Sequence, residues 1–197
     1  MIDGIPLPTL ERLPIYYREL KNAIQDGKDT LSSREFGELL GIPEALIRKD
    51  LSYLKQQGRQ RVGYDTRDLA AFLEDYLGLM DDKHAVLVGV GNLARALIAY
   101  PEFQNYGLEF RALFDNDPWK IDSEIEGIKV LSVDKLEDLI KRMHIRIGVI
   151  TAPAGAAQEV ADKMVAGGIV AIWNFAPVVL KVPDHVYVVN ENLAISF

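Results

Sequence analysis

Apolar positions in the first third of the chain recur at steps of three and four. Leu10, Leu13, Tyr17, Leu20 and Ile24 keep that spacing and predict an amphipathic helix closed at Gly27. Ser32, with Glu35 three residues on, is a capping-box pattern that opens a second helix. Its apolar side carries Phe36, Leu39 and Leu40, and Gly41 stops it. Pro43 suits the first turn of a third helix, from about Glu44 to Leu54, with Ala45, Ile47, Leu51 and Leu54 inward. Asp65-Thr66 caps a fourth, which carries Leu69, Phe72, Leu73, Tyr76 and Leu77. From residue 84 onward the pattern changes to short β-rich runs alternating with helical stretches. Strands are predicted at 85–88, 110–114, 145–151, 169–173 and 186–190, and helices up to about residue 100 and over 134–142 and 156–166. That alternation predicts an α/β Rossmann-like domain, a doubly wound parallel sheet with its crevice at the strand C-terminal ends. The change falls at Gly78 to Asp82 and divides the chain into 1–80 and 81–197.

The second and third helices, joined by a tight turn, form a helix-turn-helix pattern in which the later helix is the one that enters a DNA major groove. Arg48 and Ser52 lie four apart on its outward side, as do Lys49 and Tyr53, making two adjacent polar rows. Beyond them, Gln56 to Tyr64 places two glycines around Arg59 and Arg61, a winged pattern whose arginines suit a minor groove. The formal net charge of -7 argues against nucleic acid, yet residues 45–67 alone carry a net +4. Charge focused in this way serves local phosphate contact. The competing reading is a solvated basic face on a small helical protein-interaction module.

In the second part Gly89-Val90-Gly91-Asn92-Leu93-Ala94 stands between strand and helix as G-x-G-x-x-A, the context a dinucleotide fingerprint requires. Gly89 permits the turn, Gly91 lets backbone amides approach a pyrophosphate, and Ala94 lets the helix pack closely on the strand. Asp115 ends the next strand 24 residues after Gly91, near the offset for a carboxylate that meets a ribose 2'-hydroxyl. An acid there favours NAD(H) over its 2'-phosphorylated relative. Thr151-Ala152-Pro153 and Asn174-Phe175-Ala176-Pro177 end two further strands. They read either as turn chemistry before proline or as a lining for the nicotinamide half of the site.

The chain has 197 residues, 49% of them apolar, with no membrane-span-length apolar run and no signal-peptide layout. A cytoplasmic, folded protein is expected, with no membrane partner. Without cysteine there is no disulfide, thiolate metal site or thiol redox sensor, so a redox response has to come from a bound cofactor. His84, His144 and His185 lack metal-ligand spacing, and no metal is expected.

Several segments together resemble one family across nearly the whole chain. They are Glu11-Arg12-Leu13-Pro14, Ile47 to Tyr53, Arg61-Val62-Gly63-Tyr64, Gly89 to Leu93, Arg95-Ala96-Leu97, Tyr100-Pro101, Phe114-Asp115, Pro153-Ala154, Ala156 to Glu159 and Asn174 to Pro177. The family is that of the Rex redox-sensing transcriptional repressors of bacteria. The resemblance implies a winged helix-turn-helix domain fused to a Rossmann domain. It also implies a homodimer that binds palindromic, double-stranded operator DNA and leaves it when NADH replaces NAD+. It places Arg12, Arg48, Lys49, Ser52 and Tyr53, with Arg59 and Arg61 on the wing, at the DNA. It puts Gly89, Val90, Gly91, Asn92, Leu93, Ala94 and Asp115 at the adenosine and pyrophosphate, and Tyr100, Thr151, Pro153, Asn174 and Pro177 toward the nicotinamide. The chain departs from the family at Lys55-Gln56-Gln57 in the wing, at Ala94, at Asn192 where relatives carry an acid, and in stopping at Phe197 before a swapped helix. The last two predict a weaker dimer and less complete release. Two rivals remain: a nucleotide-binding paralogue, for coenzyme A or NAD, that has lost DNA or redox control, and a dehydrogenase. The latter needs a proton-transfer group beside the nicotinamide, and no His or Lys is expected at a crevice-facing strand end.

Overall fold

Helix α1 (Leu7–Gln25) buries Leu13, Tyr16, Tyr17, Leu20 and Ala23 along one face, as its apolar spacing requires. In the computed structural model, which describes residues 4–56, 58–60 and 62–191, the chain forms two compact units, 1–80 and 81–197. In the first unit, strand β1 (Thr30–Leu31) leads into α2 (Ser33–Leu40), whose capping box is complete: the Ser32 hydroxyl accepts from Glu35 N–H and the Glu35 carboxylate accepts from Ser32 N–H. Helix α3 (Glu44–Tyr53) follows after a turn so tight that a Cβ on Gly37 would sit 2.5 Å from the Ile42 carbonyl oxygen. Strand β2 (Tyr64–Asp65) pairs antiparallel with β1, and a bridge between Arg59 and Gly63 carries the hairpin toward its tip. Asp65 then caps α4 (Thr66–Tyr76), which packs on α1, where Tyr17 donates to Glu74.

Helix α3 ends on Lys55 in the left-handed region, φ 58°. Lys55 N–H donates to the Ser52 carbonyl and Gln56 N–H to the Leu51 carbonyl, both at 3.0 Å, the paired pattern of a helix stop that favours glycine. A Cβ in this conformation is strained. Lys55→Gly is expected to stabilise the first unit by about 1 kcal/mol. An unchanged or lower denaturation midpoint would contradict that.

The second unit alternates β3 (Lys83–Val88), α5 (Asn92–Ile98), β4 (Leu108–Asp115), β5 (Glu124–Ile125), β6 (Ile128–Ser132), α6 (Leu136–Met143), β7 (Ile147–Ile150), α7 (Ala154–Gly167), β8 (Ala171–Asn174) and β9 (Tyr187–Asn190). Short 3₁₀ turns span Pro101–Tyr106 and Val133–Lys135. The strand order is β5-β6-β4-β3-β7-β8-β9, parallel throughout except for the β5–β6 hairpin, which with β6 was not expected from the sequence. One face buries Val86, Phe114, Ile150 and Ile172 with Leu136, Ile140, Val160 and Met164 of α6 and α7. The other buries Leu87, Leu113 and Val149 with Ala94 of α5. The chain runs outward from β3 in both directions, so the crevice opens where β3 and β7 end side by side.

Candidate functional site

The turn after β3 is built from its own backbone. Gly89 has φ +97°, and a Cβ there would lie 2.6 Å from Ala152 N, so both the turn and the packing exclude a side chain. Its N–H donates to the Phe114 carbonyl, and the Thr151 hydroxyl donates to the Gly89 carbonyl at 2.7 Å. Gly91 is different. It sits at φ -103°, open to any residue, and a Cβ there meets no atom within 4 Å. Among the described residues nothing demands a glycine at 91, and the position leaves bare backbone open to a group that would lie against it. The first-turn amides of α5 at Asn92 and Leu93 stand beside it without intrahelical acceptors, and no side chain caps them. Val90 and Ala94 are buried beneath the turn.

A cavity of about 540 Å³ adjoins this turn, lined among others by Gly89, Gly91, Asp115, Lys120, Thr151 and Pro153. Asp115 is 5% exposed. Its Oδ2 accepts from Val90 N–H at 2.8 Å and from Lys120 Nζ at 3.0 Å, and its Oδ1 accepts from Asp117 N–H at 2.9 Å. Burial pushes this carboxyl up, but the N–H donors and Lys120 outweigh it and hold it below the usual carboxylate range. Asp115 thus latches the glycine turn to the end of β4.

The cavity brings together Gly89, Gly91, Asp115, Thr151 and Pro153 from the expected set and leaves others apart. Tyr100 is half exposed, edge-on to Phe103, and lines a separate hollow of about 320 Å³. Asn174 is fully buried. Its amide donates to the Ala176 and Val178 carbonyls and to Asn190, while its oxygen accepts from Ala176 N–H. The polar atoms of Asn174 are spent on its own loop and on Asn190 of β9, which favours the turn-chemistry reading, and Pro177 is exposed beyond it. The sequence reading stopped at Asp115 and so missed the turn that carries Asp117 and Lys120, together with Val133 and Asp134, which follow the unexpected strand β6. Two lysines line the cavity, Lys120 from the turn after β4 and Lys163 from within α7, and neither stands at a strand end.

In the first unit Arg48, Lys49, Ser52 and Tyr53 are all exposed on α3, and Arg59 is exposed on the hairpin. Arg48 is held by Ser33 Oγ at 3.0 Å and by Glu44 at 3.2 Å, and Ser52 donates to the Lys49 carbonyl of its own helix. Arg61 lies outside the described residues, as do Asn192 and Phe197. Arg12 is not free: its Nε and Nη2 donate to Asp50 at 2.6 and 2.8 Å. Thr9 and Tyr16 donate to the same carboxylate at 2.9 and 2.7 Å. Three side chains along one face of α1 therefore fill all four acceptor positions of a carboxylate on α3. Asp50 was not among the expected site residues, and its signal was the apolar period of α3, on whose inner face it stands between Ile47 and Leu51.

A family model described as CoA binding domain matches residues 80–178, and one for the N-terminus of DNA-binding proteins matches 4–52. Redox-sensing transcriptional repressors Rex of Desulfitobacterium hafniense and Desulforamulus reducens are 43% and 42% identical to this chain over 192 residues, covering 98% of it and 91% of each relative. The chain belongs to the Rex family. A crystal structure of RSP, a Rex-family repressor, in complex with β-NAD+ and operator DNA matches with a TM-score of 0.93 and 36% identity, over 98% of this chain and 88% of that one. RSP in complex with β-NADH matches at 0.89 and 35%, over 98% and 90%. The winged-helix and Rossmann-like fold expected from the motifs is thus that of known Rex repressors.

Proposed function

We propose that this Rex-family chain is a redox-sensing transcriptional repressor: residues 1–80 bind operator DNA, and residues 81–197 bind NAD+ or NADH. The observation that carries the nucleotide half is Gly91, whose missing side chain serves no contact within the protein and leaves bare backbone beside the first amides of α5. Gly91, Asn92 and Leu93 would hold the pyrophosphate, and Asp115 with its neighbours the adenosine ribose. When bound, the nicotinamide ring supplies the redox signal through the difference between its neutral reduced and cationic oxidised forms. A ligand shifts a conformational equilibrium only by its differential affinity for the two states, so release of DNA requires that NADH favour the non-binding state. The proposal includes a homodimer on a palindromic site, action in the cytoplasm and no catalytic turnover. In support of the last, Lys120, which lines the cavity, is engaged by Asp115 at 3.0 Å.

Residues 80–178 also match the model described as CoA binding domain, which makes coenzyme A the second ligand to test. Calorimetric titration with NADH, NAD+ and coenzyme A separates the two, and binding of coenzyme A without NADH would overturn the proposal. For the DNA half, Lys49→Ala is expected to weaken operator binding by about 1 kcal/mol or more and to lower the salt slope by about one. Lys49 is exposed on the outward row of α3. Normal affinity at several salt concentrations would remove Lys49 from the interface.

A further inference from the structure

We infer that Lys120, rather than Asp115, is the group that meets the 2'-oxygen of the adenosine ribose and sets how this chain discriminates NADH from its 2'-phosphorylated counterpart. The inference rests on the dinucleotide reading above and deepens it. Asp115 is nearly spent: both of its oxygens accept backbone N–H groups, from Val90 and Asp117, and Oδ2 accepts from Lys120 as well. Of its four acceptor positions one is left, on a carboxylate that is 5% exposed.

Lys120 has the opposite balance. An ammonium carries three donors and no acceptor, and one donor is engaged by Asp115 at 3.0 Å. The side chain is 37% exposed, and it lines the same cavity as Gly91 and Asp115. Its backbone is fixed at both ends of the residue. Lys120 N–H donates to the Asp117 carbonyl at 3.0 Å, and its own carbonyl accepts from Ser123 Oγ at 2.5 Å. A ribose hydroxyl oxygen accepts a hydrogen bond as readily as the hydroxyl donates one, so an ammonium serves that position. A 2'-phosphate, which only accepts, is served better still.

The charge consequence differs from that of a bare acid at a strand end. Asp115 and Lys120 form a compensated pair, so a 2'-phosphate meets far less repulsion here than an isolated carboxylate would give. Removing the ammonium uncovers the carboxylate. Discrimination against the phosphorylated nucleotide should therefore rise when Lys120 is lost, whereas loss of a lysine unconnected with the nucleotide would leave it unchanged.

The test is calorimetric titration of the full chain and of Lys120→Met and Lys120→Arg with NADH and NADPH. In Lys120→Met, NADH is expected to weaken a few-fold and NADPH more. The ratio of NADPH to NADH dissociation constants should rise about five- to tenfold, while Lys120→Arg should restore it to within about twofold. A merely structural lysine would weaken both nucleotides together and leave the ratio unchanged. That result, or a falling ratio, overturns the assignment while the dinucleotide reading stands. If neither nucleotide binds the unmodified chain, the reading itself fails and the assignment falls with it.

Discussion

Gly91→Val is expected to lose NADH while keeping the fold. A Cβ at 91 meets no protein atom within 4 Å, and φ -103° with ψ -164° is extended backbone that valine adopts freely, so stability should stay within about 0.5 kcal/mol. The isopropyl group would occupy the space against which the pyrophosphate is proposed to lie. Overpacking of that kind costs about 2 to 3 kcal/mol, a loss of affinity of roughly 30- to 140-fold. Gly89→Ala should behave in the opposite way. Its Cβ would be driven to 2.6 Å from Ala152 N at a φ of +97°, so the domain itself should destabilise before any ligand is considered. Titration and thermal denaturation of both variants check the pair. Normal NADH affinity in Gly91→Val would remove the pyrophosphate from this turn.

Asp50→Ala is expected to destabilise the first unit by about 3 kcal/mol or more, because it leaves a partly buried guanidinium and two hydroxyls of α1 without their acceptor. Asp50 is 1% exposed and draws Thr9, Arg12 and Tyr16 onto α3. Burial pushes its carboxyl up, but the hydrogen bonds from Arg12, Tyr16 and Thr9 outweigh that and leave it below the usual range. A depressed folded-state value gives stability that is fully present above the unfolded value of about 3.9 and is lost as pH falls through the folded value. Acid unfolding of this unit should therefore lie below about pH 4, and Asp50→Ala should flatten that limb. A cost under about 1 kcal/mol, with an unchanged acid limb, would show that the carboxylate does not hold α3 to α1. Operator binding should fall as well, since the contacts proposed for Lys49 and Ser52 require a correctly set α3.

The helices of the first unit were legible because their caps and stops are local: Ser32 with Glu35, Gly41, and Asp65 each act within one turn. The glycine turn and Asp115 were legible because strand, turn and helix follow one another directly in the chain. Strand β6 was not, since Lys129 interrupts a short run of Ile128, Val130 and Leu131, and the hairpin that pairs it with β5 carries no strong period. Losing that strand also lost Val133 and Asp134 from the cavity. The pairing of Arg12 with Asp50 was not legible because the two lie 38 residues apart, a distance no local pattern reports. Asn174 shows the converse. A polar residue at a strand end looks like a ligand contact until its four hydrogen bonds are seen to close within its own loop and on Asn190.

The central claim is that one chain couples nucleotide redox state to operator occupancy. Fluorescence anisotropy of a labelled palindromic operator, with NADH titrated against a fixed excess of NAD+, measures that coupling directly. The expected result is a complex that persists in NAD+ alone and dissociates as NADH rises, with Gly91→Val remaining bound across the titration. Operator occupancy that ignores NADH in the unmodified protein would contradict the account.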